Sequence, residues 1–230
     1  MKKYMMMALA SLFVCGNLSA QSTVKTTKDK MKQRADIMKL NKKLQSVDVD
    51  KASKKQAKQM KKEGWKVAPG NLPLDQQITR STLFQNQFED DLITPKYVWG
   101  DATSVSANYD GGKMQALELA RVNLVSSIES NITKIVENNR DNKQLNADNA
   151  ATVVKTLSSS KSYVSQRLGQ TIPVVEMFRE LPNGNKEVRV MVFYSMDTAR
   201  EIALDAVRDQ LEKEGDSLDD NALKELMGED

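Results

Sequence analysis

Ile172-Pro173-Val174-Val175-Glu176-Met177-Phe178-Arg179-Glu180-Leu181-Pro182-Asn183-Gly184-Asn185-Lys186-Glu187-Val188-Arg189-Val190-Met191-Val192-Phe193-Tyr194 is the stretch that decides the fold. Two runs rich in β-branched and aromatic residues flank Pro182-Asn183-Gly184-Asn185. Asn-Gly supplies the positive φ values of a tight turn, so the stretch reads as a β-hairpin, with strands over 172–181 and 187–194. Val188, Val190 and Val192 alternate with Arg189, Met191 and Phe193, and the valine set is expected to face the core.

A hairpin alone does not make a stable sheet, so the rest of the chain must supply a further strand and a cover. Tyr97 to Ala107 is rich in Tyr, Val, Thr and Ser and reads as that distant strand, with Gly100 marking a bulge or a close contact. Asp110-Gly111-Gly112 reads as a turn opening the strongest helix. There Met114, Leu117, Ala120, Leu124, Ile128, Ile132 and Ile135 recur at i+3 and i+4. A second helix carries Ala150, Val154, Leu157, Val164 and Leu168, weakened in its middle by Ser158-Ser159-Ser160. After the hairpin, Asp197 is placed to cap a long helix through Ala199, Ile202, Ala206 and Leu211, and Leu218 to Met227 reads as a short last helix. The expected fold class is α+β: a small antiparallel or mixed sheet of one distant strand plus a hairpin, with helices packed on one face.

Upstream, Leu74 to about Phe88 reads as a helix closed by Glu89-Asp90-Asp91 and Pro95, after a turn-rich linker, Ala68 to Pro73. Residues 22–63 hold no Gly, Pro or aromatic residue and only a thin apolar stripe, read as a basic helical or unpacked arm that Gly64 stops. Residues 21–65 carry 14 Lys+Arg against 5 Asp+Glu, whereas 66–230 carry 18 against 26, so a basic arm joins an acidic body. Lys2 and Lys3 ahead of the apolar run Tyr4 to Val14, then Asn17-Leu18-Ser19-Ala20, read as a signal peptide cleaved between Ala20 and Gln21. Leu12-Phe13-Val14-Cys15 has the outline of a lipoprotein signal, with Cys15 as the acylated residue. The residue before such a cysteine is usually small, and Val14 is not. The expected divisions are therefore 1–20 signal peptide, 21–66 arm, 67–96 linker and helix, 97–214 core and 215–230 terminal helix.

The chemistry available to the chain is narrow. It has no histidine, and its one cysteine, Cys15, lies in the signal segment. That removes His-dependent triads, thiolate catalysis and the usual zinc ligands from the mature chain. Ser158-Ser159-Ser160-Lys161 matches the S-x-x-K spacing, and so does Ser22-Thr23-Val24-Lys25, but neither S-D-N nor K-T-G accompanies them. Asp110-Gly111-Gly112-Lys113 lacks the remaining spacing of a phosphate loop and reads as a turn with an N-cap. Glu89-Asp90-Asp91 lacks calcium-loop spacing and reads as a solvated helix end. No catalytic residue, metal ligand or cofactor is expected.

The residues Met114-Gln115-Ala116-Leu117-Glu118-Leu119-Ala120-Arg121-Val122-Asn123-Leu124, then Ile172 to Glu176 and Glu187 to Val192, carry a resemblance. Over residues 97–208 the chain resembles the twenty-kilodalton bacterial outer-membrane lipoprotein family, related to the N-terminal domain of the flagellar protein FlgT. With Gly64-Trp65-Lys66-Val67-Ala68-Pro69-Gly70 it is also similar to uncharacterised exported proteins of Bacteroidales. The resemblance implies an α+β fold and an envelope location and carries over no functional residue. The expectation is an exported, periplasmic or outer-membrane-associated, non-enzymatic binding or assembly protein. Its arm would meet an anionic envelope surface or an envelope protein, and export argues against nucleic acid. The alternative is a hydrolase of envelope polymers that uses carboxylates alone.

Overall fold

A computed structural model describes residues 48–228 except 93, 144, 170, 216 and 217, together with Met31 and Ala35. Residues 48–230 form one compact unit. Its elements are helices α1 (Lys51–Lys62) and α2 (Leu74–Gln85), strand β1 (Tyr97–Ser106), helices α3 (Tyr109–Lys143), α4 (Ala147–Ser159) and α5 (Lys161–Arg167), strands β2 (Ile172–Glu180) and β3 (Lys186–Ser195), and helices α6 (Met196–Glu214) and α7 (Asp220–Met227). The fold is α+β, with a three-stranded sheet of order β1-β3-β2, antiparallel at both junctions. Among the described residues no helix is long and apolar enough to cross a membrane.

The hairpin forms in the expected place, but its turn differs. Gly184 alone takes a positive φ, at 82°, and its N–H donates to the Leu181 carbonyl at 2.9 Å while Leu181 N–H donates to Asn185. Pro182 is the cause. Its ring fixes a negative φ at the first loop position, so a three-residue loop with a left-handed glycine replaces the two-residue turn. Strand β3 then presents Val188, Val190 and Val192 to the main core, each 1% exposed or less.

Helix α3 is 35 residues long and crosses that face. It begins at Tyr109, so Asp110-Gly111-Gly112 lies inside its first turn, and Asn108 is the cap, its Oδ1 accepting from Gly111 N–H at 2.8 Å. The buried stripe accordingly starts at Gly112, Ala116 and Ala120 and runs through Leu124, Ile128 and Ile132; Met114 faces solvent at 72% exposure. Small residues lead because the helix lies close against the sheet: Ser104 Oγ donates to the Gly112 carbonyl at 2.6 Å. Gly100 sits under this crossing, so it marks a close contact.

Three further expectations change. The second helix divides at Ser160, where Ser159 and Ser160 hydroxyls both donate to the Thr156 carbonyl at 2.8 Å and compete with the helical ladder. Ser195, not Asp197, caps α6; Asp197 falls in the first turn. Helices also cover both sheet faces. Met191 and Phe193 are buried on the face opposite the valines, where α2 sets Phe84 against Phe193 with centroids 4.9 Å apart and edge-on to Tyr97 at 4.8 Å. This second cover grips β2 as well, through Gln77 Oε1, which accepts from Glu176 N–H at 2.8 Å.

Of the expected arm, 48–66 belongs to the compact unit, and of the remainder only Met31 and Ala35 are among the described residues. Asp50 caps α1 by accepting from Ser53 N–H at 2.8 Å, and Gly64, at φ 89°, ends it. Trp65 N–H returns to the Met60 carbonyl at 3.0 Å and Gly64 N–H to Lys61 at 3.2 Å, both bonds of a Schellman stop. Lys66 then pairs with Phe178 on the outer side of β2.

Helix α2 stops at Gln85, before Glu89-Asp90-Asp91, which form instead the turn of a loop joined by a Phe88–Pro95 bridge. At its tip Leu92 holds a φ of 58° with 80% of its surface exposed. A branched side chain there costs about 1 kcal/mol and packs against little. Leu92→Asn is expected to raise stability by about 0.5–1 kcal/mol in denaturant titrations. Equal or lower stability would mean that Leu92 has a packing role.

Candidate functional site

Among the described residues the most enclosed charged group is the Glu176 carboxylate on β2, its side chain 11% exposed. Lys113 Nζ lies 2.9 Å from it, Asn71 Nδ2 donates at 2.9 Å, and the Tyr109 hydroxyl donates to the same oxygen. Tyr109 and Lys113 stand one turn apart on α3, and Asn71 arrives from the linker before α2. Burial pushes the Glu176 pKa up, but the bonds from Tyr109, Lys113 and Asn71 outweigh it and hold the carboxyl below its ordinary value. Burial and the bond to Glu176 push the Tyr109 hydroxyl upward. A tyrosine that donates to a carboxylate and ionises late is poorly disposed to act as an acid–base group near neutral pH. The cluster ties the linker, α3 and β2 together.

The S-x-x-K pair closes on itself in the same way. Ser158 Oγ donates to Glu129, whose other oxygen lies 2.6 Å from Lys161 Nζ. Burial raises the Glu129 carboxyl, and the Lys161 and Ser158 bonds outweigh that and lower it. Serine and lysine thus share a carboxylate, and Lys161 is an ion-pair partner where a dyad needs a neutral base aimed at the hydroxyl.

The other sequence candidates resolve into local structure. Asp91 accepts from both the N–H and the hydroxyl of Thr94, at 2.8 and 2.5 Å, and Glu89 lies 3.7 Å from Lys96. Asp110 to Lys113 form the first turn of α3, with the Gly111 and Gly112 amides taken by Asn108. Among the described residues no group of three or more acidic, Cys or His side chains comes together to hold a metal ion. Cys15, Ala20, Gln21, Ser22 and Lys25 lie outside the described residues.

One surface differs from all of these. Helix α1 buries only Ser53 and Ala57, and leaves Lys51, Lys54, Lys55, Lys58, Lys61 and Lys62 exposed. Among the described residues none of the six is in an ion pair. On the rest of the unit, Lys96, Lys113, Arg121, Lys161, Arg179, Lys186, Arg189 and Lys224 each have a carboxylate within 4.0 Å, while Lys66, Lys134, Lys155 and Lys213, which have none among the described residues, are spread over separate segments and not gathered on one helix. The basic composition of the region was visible in the sequence; that its charge goes unanswered depends on how the helix packs.

Compared with protein-family models, curated proteins and solved structures, the chain finds no match in any of the three.

Proposed function

We propose that this chain is an exported cell-envelope protein of the binding or assembly kind, not an enzyme, and that it engages an anionic surface through the lysine face of α1. The observation that carries the proposal is the row of six exposed lysines on one twelve-residue helix, none of them in an ion pair among the described residues. Export rests on the sequence from Lys2 to Ala20. The self-contained clusters at Glu176 and Glu129 favour binding over a carboxylate-only hydrolase, because each carboxylate already serves a cation and a hydroxyl.

A lysine held near an anionic lipid surface contributes about 1 kcal/mol, and salt screens it over roughly 8–10 Å. The full chain is expected to sediment with phosphatidylglycerol vesicles at low salt, not with phosphatidylcholine vesicles, and to be released as salt rises. Charge reversal of Lys54, Lys58 and Lys61 to Glu is expected to weaken that binding on the order of 100-fold or more, at about 1 kcal/mol per lysine. Binding equal to that of the unaltered chain would remove α1 from the proposal, and indifference to lipid charge would remove the anionic surface.

A further inference from the structure

The sheet has two edges, and the chain treats them differently. On β2, Lys66 N–H donates to the Phe178 carbonyl at 2.7 Å, Phe178 N–H donates to the Lys66 carbonyl at 2.9 Å, and Gln77 takes the Glu176 N–H. Strand β1 is bare by comparison. Met196 N–H donates to the Lys96 carbonyl at 2.9 Å, which sets the even-numbered residues of β1 in the ladder with β3. The amide groups of Trp99, Thr103 and Val105 therefore point away from the sheet, and among the described residues no strand lies there. The Asp101 carbonyl on that side is taken by Asn123 Nδ2 at 2.8 Å.

Exposed edges usually carry a charge, a proline or a bulge that blocks pairing. This one carries Trp99, 36% exposed, and Val105, 48% exposed. Its one charge, Asp101, is held by Arg189, whose Nε lies 3.0 and 3.1 Å from the two carboxylate oxygens and whose Nη2 also donates to Oδ2. The reach of Asn123 to Asp101 shows that this flank of α3 borders the edge, and Leu119 and Val122, 43% and 60% exposed, lie on it with Gln115 and Ser126. The flank is uncharged.

We infer that the β1 edge is a self-association surface, on which two copies of this chain pair β1 antiparallel across a two-fold axis to build a six-stranded sheet. Charge selects the occupant. A basic segment such as the N-terminal arm finds no unanswered carboxylate here, whereas an uncharged strand edge is complementary to itself. It also brings copies together at a neutral place on a body that carries 18 Lys+Arg against 26 Asp+Glu over 66–230. The register that sets Trp99 opposite Val105 of the second copy also sets Asp101 opposite Thr103 and keeps the two aspartates apart. In that register the Thr103 N–H of one copy replaces Asn123 on the Asp101 carbonyl of the other.

A ten-residue strand is about 33 Å long, and with half a helix beside it the patch is about 15 Å wide. Each copy would bury on the order of 500 Å², at the low end for a specific interface, so the dimer is expected to be concentration-dependent with a Kd in the micromolar range.

Sedimentation equilibrium of the full chain across micromolar concentrations, without lipid, tests this. The expected result is a monomer–dimer equilibrium. Thr103→Pro deletes an outward N–H, a change that edge strands tolerate, and Val122→Glu puts a charge on the flank; each is expected to weaken dimerisation by about tenfold or more. Asn123→Ala frees the Asp101 carbonyl and is expected to tighten it several-fold. A monomer throughout that range overturns the inference, as does a dimer that Val122→Glu, at an exposed position, leaves unchanged. All three changes leave the α1 lysines in place, so this result and vesicle binding can fail separately.

Discussion

Gly100→Ala is expected to destabilise the compact unit by about 4 kcal/mol, a large part of the 5–15 kcal/mol that holds a typical domain together. A Cβ built on Gly100 would stand 1.9 Å from the Ala120 carbonyl oxygen, 2.5 Å from Leu124 N and 2.9 Å from Leu124 Cβ. The first two are main-chain atoms in the middle of a long helix, so no rotamer change relieves the clash. Strand and helix would have to separate, yet Ser104 Oγ is fastened to Gly112 and Asn123 to Asp101 across the same contact. Val98, Ala120 and Leu124, each 1% exposed or less, would lose contact together. Overpacking usually costs 1–3 kcal/mol because side chains yield, and here the yielding part is backbone. Gly112→Ala is the informative contrast. Its nearest neighbour would be a Val188 methyl at 2.8 Å, and alanine gains about 1 kcal/mol of helix propensity over glycine, so the net cost is expected to be below about 1 kcal/mol. Denaturant titrations of both variants, followed by Trp65 and Trp99 fluorescence, check the pair. A Gly100→Ala midpoint beside that of the unaltered chain would show that the crossing is looser than described.

That crossing also marks where the sequence stops being readable. Local patterns carried far: the alternation around Val188 to Val192, the Pro-Asn-Gly loop and the i, i+3, i+4 run after Ala120 each depend on neighbours a few residues away. Gly100 could be read as a bulge or a close contact, but nothing near it in sequence names α3 as the partner. Reading apolar periodicity by size placed Met114 in the stripe ahead of Ala120, whereas the tight approach of α3 to β1 selects Gly112 and Ala116 there. The second cover was hidden for a related reason. Arg189, Met191 and Phe193 alternate with the valines like a solvent face, and only the arrival of Phe84 from more than a hundred residues away makes Phe193 part of a core. The candidate surfaces follow the same division. Six lysines in α1 are plain in the sequence, while the absence, among the described residues, of carboxylates beside them and of a strand on the β1 edge is a property of packing.

Glu176 gives the second large effect, and its partners lie 67 and 105 residues away at Tyr109 and Asn71. Glu176→Ala is expected to cost about 3 kcal/mol at neutral pH, since hydrogen bonds to a charged group contribute 1.5–3 kcal/mol each and partly exposed donors such as Lys113 recover some of that from water. Glu176→Gln keeps the oxygen that Tyr109 and Asn71 use, removes the charge and turns the other oxygen into an NH2 group, so it is expected to cost about half as much. The two variants separate packing from ionisation through pH. Because the folded-state carboxyl is held below its ordinary value of 4.5, its stabilisation is fully present above that value and is lost as pH falls through the lower folded-state value. The unaltered chain should therefore lose its advantage over Glu176→Gln below pH 4.5, and the two stabilities should converge once the carboxyl is protonated in the folded protein. Protonated Glu and Gln have nearly the same shape and the same acceptor oxygen for Tyr109, Lys113 and Asn71, and differ only in an O–H against an NH2 on the other side. Parallel stability profiles from neutral to acidic pH would mean that the carboxylate is not held by its neighbours, and the lock between linker, α3 and β2 would then rest on packing alone.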